Sequence, residues 1–249
     1  MCTVVILRRP DHRWPVLIGA NRDEMIDRPW KAPNRHWPDR PEVVAGLDVL
    51  AGGSWLGIND WGVAAAVLNR TGSLGPAPGR RSRGELVLEA LDHADAVAAA
   101  AALADLDPDA YRTFNLVVAD ERDAFWLRHA GGARIEVFPM KEGLSMIAAG
   151  DVDDLGTRRL ELAMPAFREW PPPEPDRNDW TAWQELLGST RAPVGEEAAA
   201  AMRFRTNGYG TISSALIALP ARGEPDRRAH FRFVGWQPQA TPWQDVSLG

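Results

Sequence analysis

The amino-acid sequence predicts an α+β layered sandwich, and three observations carry that expectation. Apolar β-branched runs open the chain, helical patterns follow, and runs and helical patterns then each recur, so the order is strands, helices, strands, helices, strands. That order suits segregated layers better than alternating βαβ units. Neighbouring runs are joined by short turn segments, which favours antiparallel pairing. The chain has 249 residues, 45% hydrophobic and 25% charged, which is enough for one large core, so a single domain over residues 1–249 is expected.

Residues 3–7 are apolar and β-branched and read as a buried strand, followed by turn chemistry at Arg8-Arg9-Pro10-Asp11-His12. Residues 16–20 read as a second strand. The two form a hairpin, which brings residue 2 beside Asn21-Arg22-Asp23-Glu24. Residues 27–42, with Pro29, Pro33, Pro38 and Pro41, read as a long loop, and Gly52-Gly53-Ser54-Trp55-Leu56-Gly57 as a glycine-rich turn. Residues 63–68 form a strand ending at Asn69, and 70–83 a loop. Ser82-Arg83-Gly84-Glu85 has capping-box spacing and predicts a helix over about 84–93, with another through the alanine run to Leu106. Strands are expected at 114–119, 124–129 and 134–138, and one more at 144–149. Helices are expected at 157–167, with Pro165 kinking or ending it, at 180–187, and at 195–202; late strands follow at 211–219 and 230–236.

Composition excludes several function classes. A net charge of −6 argues against a general nucleic-acid binder. The short run at residues 3–7, ended by Arg8 and Arg9, is neither a secretory signal nor a membrane span. A single cysteine rules out an internal disulfide framework and fits a reducing cytoplasm. The five histidines are scattered, and Asp151, Asp153 and Asp154 lack calcium-loop spacing, so no metal site is expected. Zinc-protease, P-loop and serine-hydrolase signatures are absent.

The one cysteine is Cys2, preceded only by Met1. Methionine before a small side chain is commonly removed, which leaves a thiol and a free α-amine on one residue. That pairs a nucleophile with a base whose ordinary pKa is about 7.7–8.0. The competing reading is a small apolar side chain packed at the start of a strand. Asn21-Arg22-Asp23-Glu24 reads either as a solvated turn or as a polar cluster facing Cys2. In the second case Asp23 orients the α-amine, and Asn69, at another strand end, donates to a developing oxyanion. Arg22 either binds a substrate carboxylate or phosphate or forms an ion pair with Glu24 or Asp27.

Met1-Cys2-Thr3, Asn21-Arg22-Asp23-Glu24, Gly52 to Gly57, and Tyr209-Gly210-Thr211 with Ser213-Ser214 occur in an order that resembles the NRDE family, which includes the transport-and-Golgi-organisation 2 proteins. The resemblance implies an N-terminal-nucleophile hydrolase fold, a four-layer αββα sandwich, shared with choloylglycine hydrolases and penicillin V acylases. Their nucleophile matches Cys2, their aspartate Asp23 and their first oxyanion asparagine Asn69. Their arginine falls on Ala20, with Arg22 two places along the strand, and their second asparagine falls near Ala148-Ala149. Arg205 is the candidate for their late arginine.

Two functions follow from the resemblance. One is a cysteine amidohydrolase acting on a small acyl-amide, with Cys2, Asp23 and Asn69 catalytic and Asn21, Arg22 and Trp55 binding substrate. The other is a non-catalytic heme, lipid or acyl-CoA binding and trafficking protein. It needs no resident cofactor and holds heme exchangeably, in a tryptophan-lined groove fed by residues 27–42, with Cys2, His12 or His129 near the iron. In both the partner is a small molecule. The sequence leaves the oligomeric state open.

Overall fold

The computed structural model describes residues 2–223 and 228–249. Two antiparallel sheets pack face to face. The first has six strands: β1 (Thr3–Arg8), β2 (Val16–Met25), β10 (Gly143–Ile147), β11 (Tyr209–Leu219), β12 (His230–Gly235) and β13 (Gln244–Asp245), in the order β10-β1-β2-β11-β12-β13. The second runs β3-β4-β5-β6-β7-β8-β9 in sequence order. Its strands are β3 (Trp30–Asn34), β4 (Val43–Asp48), β5 (Leu56–Asn59), β6 (Ala64–Asn69), β7 (Phe114–Ala119), β8 (Ala124–His129) and β9 (Glu136–Pro139).

Strand alternation builds the layers. Val4, Ile6, Val16 and Ile18 of the first sheet meet Val44, Ile58, Ala66 and Val117 of the second to form the central core. On the outer face of the second sheet, Val43, Ala65 and Leu116 bury Leu86 and Leu91 of α1 (Gly84–Leu91) and Ala99 and Leu103 of α2 (Ala96–Ala104). On the outer face of the first, Val5, Leu17 and Leu216 bury Leu160 and Phe167 of α3 (Arg158–Glu169) and Trp183 and Leu187 of α4 (Thr181–Gly188). The result is the expected αββα sandwich.

Several elements differ from the sequence reading. Asn21-Arg22-Asp23-Glu24 is not a turn: β2 runs ten residues through it, because the eleven-residue β11 pairs along its whole length. The loop at 27–42 contains edge strand β3, where Pro33 falls within a register irregularity between Lys31 and Asn34 and so breaks no regular ladder. The glycine-rich segment is not all turn, since Leu56 and Gly57 belong to β5. Gly57 lets β5 approach β4, since a Cβ there would lie 2.3 Å from that of Ala45. The capping box does not form: Glu85 pairs with Arg81, and Ser82 Oγ accepts from Gly84 N at 3.2 Å. Helix α3 passes through Pro165, whose ring faces solvent. The helix expected over 195–202 is only a 3-10 turn at Ala198–Ala200, whose Ala199 carbonyl is claimed by Arg159. Among the described residues no helix is long and apolar enough to cross a membrane.

Candidate active site at the open end of the first hairpin

Strands β1 and β2 pair with Thr3 opposite Asn21, so the next residue outward, Cys2, lies beside Arg22. Alternation then divides the hairpin. Cys2, Ala20 and Arg22 face the space between the sheets, whereas Thr3, Asn21 and Asp23 face the helical layer.

On the helical face the polar groups are closely matched. Asp23 Oδ2 accepts from Arg159 Nη1 at 2.6 Å, and Oδ1 accepts from Thr211 Oγ1 at 2.8 Å. The Arg159 side chain is 3% exposed and that of Asp23 is 0% exposed, so this is a buried ion pair. The same Arg159 Nη1 donates to Thr3 Oγ1, and the rest of the guanidinium binds the Ala199 carbonyl. The Asn21 amide donates to the carbonyls of Leu187 and Met202 and accepts from Ser214, which in turn accepts from Trp236. Asn21, expected to bind substrate, is therefore a strut joining β2 to the segments around α4. Removing either partner of the Arg159–Asp23 pair leaves a buried charge, at a cost of about 3–5 kcal/mol.

The inter-sheet face is less completely matched. Arg22 Nη2 donates to Asp48 Oδ2 at 2.9 Å, and its guanidinium lies 3.9 Å from the centre of the Trp55 ring. Arg28 shares the same Asp48 oxygen at 2.7 Å. Arg22 thus pairs with Asp48, not with Glu24 or Asp27. Its Nη1 is buried and has no hydrogen-bond partner. A Cβ on Gly46 would overlap the Trp55 ring at 2.3 Å, which explains how that indole can lie flat beneath the arginine. The Cys2 thiol is half-buried and donates to the main-chain oxygen of Asp23 at 3.7 Å; Tyr209 Oη donates to the same oxygen at 3.2 Å. Burial first, and the Asp23 charge second, push the thiol above its ordinary pKa, so the resting side chain is protonated at neutral pH. No histidine is among the groups that bond to or shift it.

Asn69 is placed differently from expectation. It pairs with Phe114, whose ring lies on the helical face of the second sheet, so the Asn69 amide is on that face rather than against the thiol. The asparagine between the sheets is Asn115. It donates to the carbonyls of Ala148 and Gly150 and accepts from Trp126 and Arg70, which leaves its side chain fully used. Arg205 is exposed beside Gly210 in the turn before β11. The late arginine that meets Asp23 is Arg159, on a helix 136 residues away, and no local pattern announces it. Thr211 had a signal, the Tyr209-Gly210-Thr211 motif, but its contact with Asp23 did not follow from it. Met1 lies outside the described residues.

A depression of about 900 Å³ lies at the other end of the sandwich, lined by the turns at Asn59–Gly62 and Glu121-Arg122 and by the end of β11. It holds no thiol and none of the buried ion pairs above. Among the described residues no cluster of histidine, cysteine or carboxylate side chains is arranged to hold a metal ion.

Comparison with known proteins fits this arrangement. The family model for Transport and Golgi organisation 2 matches residues 1–154, well over half of the chain. The chain belongs to that family. A cattle member, a Transport and Golgi organization protein 2 homolog, is 37% identical over 117 residues, and a mouse member is 34% identical over the same length. Each match covers 42% of this chain and only 38% of the relative. Among solved structures, the Caenorhabditis elegans N-acylethanolamine-hydrolyzing acid amidase ortholog superposes with a TM-score of 0.61 over 90% of this chain and 94% of its own, at 14% identity. Penicillin V acylase from Agrobacterium tumefaciens gives 0.58 over 99% and 86%, also at 14% identity. The family member described here therefore has the N-terminal-nucleophile hydrolase fold.

Proposed function

We propose that the protein is an N-terminal cysteine amidohydrolase acting on a small acyl-amide. The observation that carries this reading is the placement of a protonated, half-buried thiol at the very start of β1, with the buried Asp23–Arg159 pair behind it. A thiol held above its ordinary pKa is not a ready-made thiolate, so a base must take its proton as it attacks. Once Met1 is removed, the α-amine of Cys2 is that base, and Asp23, clamped by Arg159 and Thr211, orients it.

The proton passes from Sγ to the amine as sulfur attacks the carbonyl carbon. The ammonium then protonates the departing nitrogen and a thioester is left. Water, deprotonated by the same amine, attacks the thioester carbonyl; the carboxylic acid leaves and Sγ regains its proton. We assign to Arg22 Nη1, buried without a partner on the same face of the hairpin as Cys2, the donation to the tetrahedral oxyanion that the resemblance assigns to Asn69. The test is turnover of a panel of acyl-amides by wild type and Cys2→Ala. Turnover by wild type alone supports the reading; equal turnover by both sinks it.

A second reading is a carrier of heme or another greasy ligand on the same scaffold. It is favoured by exposed Met25, the last residue of β2, and by exposed Val49 and Leu50, which directly follow β4. Here the ligand lies against Trp55 and the half-buried Cys2. Among the histidines named for iron, His129 is buried against Phe114, which argues against it. A hemin titration read in the Soret band tests this; no saturable, stoichiometric binding rejects heme.

A further inference from the structure

The connection between β6 and α1 wraps around two arginines that have no acidic partner among the described residues. Arg112 donates to the carbonyls of Gly72 and Leu74 at 2.7 and 2.6 Å. Arg83, the residue before α1, donates to the Ser73 carbonyl at 2.6 Å, to Ser73 Oγ at 2.9 Å and to the Thr113 carbonyl at 3.2 Å. Every acceptor is neutral. Other arginines of the same connection do find carboxylates: Arg80 pairs with Asp109 and Arg81 with Glu85. Burial, with Arg112 as the next cause, lowers Arg83 to about 10, still cationic at neutral pH. Arg83 lies within electrostatic reach of Glu24 and of the Cys2 sulfur, which carries charge only when ionised.

The backbone explains how Arg83 comes to the site. A Cβ on Gly53 would sit 2.4 Å from the Gly84 carbonyl carbon, and Ser54 N donates to Gly84 O at 3.0 Å. Gly53 therefore lets the start of α1 press against the segment that carries Trp55. On the near side of the thiol, Arg22 and Arg28 share Asp48, and Glu24 lies 3.8 Å from Arg28. Those two cations and two carboxylates balance. Arg83 and Arg112 are the surplus.

We propose that the ligand taken beside Cys2 carries an anionic group, a carboxylate or phosphate, held by the Arg83–Arg112 pair. The anion supplies the charge that the loop carbonyls only partly offset. This deepens the hydrolase reading by naming the substrate class, an acidic acyl-amide, and it rests on that reading for the reaction but not for the binding site.

Because Cys2 is the single cysteine, it reports the local charge directly. The experiment compares the alkylation rates of Cys2 by anionic iodoacetate and neutral iodoacetamide at one pH. The ratio of the two rates cancels the thiolate fraction, so it isolates the attraction of the site for an anion. The expected ratio in wild type exceeds that in Arg83→Gln by about tenfold, Arg83→Lys keeps most of it, and inorganic phosphate slows iodoacetamide in wild type but not in Arg83→Gln. Arg112→Gln, which alters the more exposed member of the pair, repeats the test should Arg83→Gln fail to fold. A ratio unchanged within twofold across wild type and the folded glutamine variants overturns the proposal. A high ratio with no amide turnover keeps the anion site and removes the hydrolase reading; the opposite pattern does the reverse.

Discussion

The two faces of the β1–β2 hairpin are built from the same few residues and do opposite things. The helical face carries Thr3, Asn21 and Asp23, and their side chains are bonded to Arg159, Thr211, Ser214 and main-chain carbonyls of the segments around α4. The inter-sheet face carries Cys2 and Arg22, with a protonated thiol and a guanidinium nitrogen that lacks a partner. A fully bonded buried network holds one geometry, while a buried donor left unmatched costs stability and awaits an acceptor. The difference teaches that the closed face fixes the position of the strand ends and the open face is where a ligand is met.

The largest expected effect separates the faces by activity. Cys2→Ala lowers acyl-amide turnover by more than about a thousandfold, while its urea midpoint stays close to wild type. Next comes stability on the closed face. Arg159→Met strands the Asp23 carboxylate and destabilises the fold by about 3–5 kcal/mol, measured by equilibrium unfolding, and adding Asp23→Asn recovers part of that loss. Arg22→Met, on the open face, costs less, about 1–2 kcal/mol, because Arg28 still pairs with Asp48. Equal losses for Arg159→Met and Arg22→Met break the comparison.

The pH dependence sharpens it further. Burial and the Asp23 charge both raise the Cys2 thiol, so iodoacetamide labelling of wild type still climbs beyond pH 9. Asp23→Asn removes a charge that opposes ionisation, which moves the labelling curve to lower pH. A curve that levels off by pH 8 in wild type contradicts the assigned burial. The smallest effect belongs to Asn69→Ala. With its amide on the helical face beside Phe114, turnover changes by less than about threefold, whereas a role at the oxyanion costs about a hundredfold.

Much of the fold was legible because strand periodicity is local. The runs at 114–119 and 124–129 coincide with β7 and β8, and the first hairpin brings Cys2 to the strand end that carries Asn21-Arg22-Asp23-Glu24 as its pattern implied, although the residue across from it is Arg22 and not Asp23. What escaped notice depended on distant partners. Asn21-Arg22-Asp23-Glu24 looks like a turn because four polar residues in a buried strand are tolerable only when β11, α3 and Asp48 arrive to bond them. Strand β5 was hidden because glycines that permit close strand packing also mark turns. Arg159 was invisible for a stronger reason: its partner is 136 residues upstream, and a helical arginine is usually a surface residue.

The central claim is that Cys2 works as both nucleophile and base once it becomes the first residue. The intact mass and N-terminal peptide of the protein, purified from the cells that make it, test this most directly. The account predicts a chain that begins at Cys2 with an unmodified α-amine; a chain that keeps Met1 contradicts it, because the amine is then on the wrong residue.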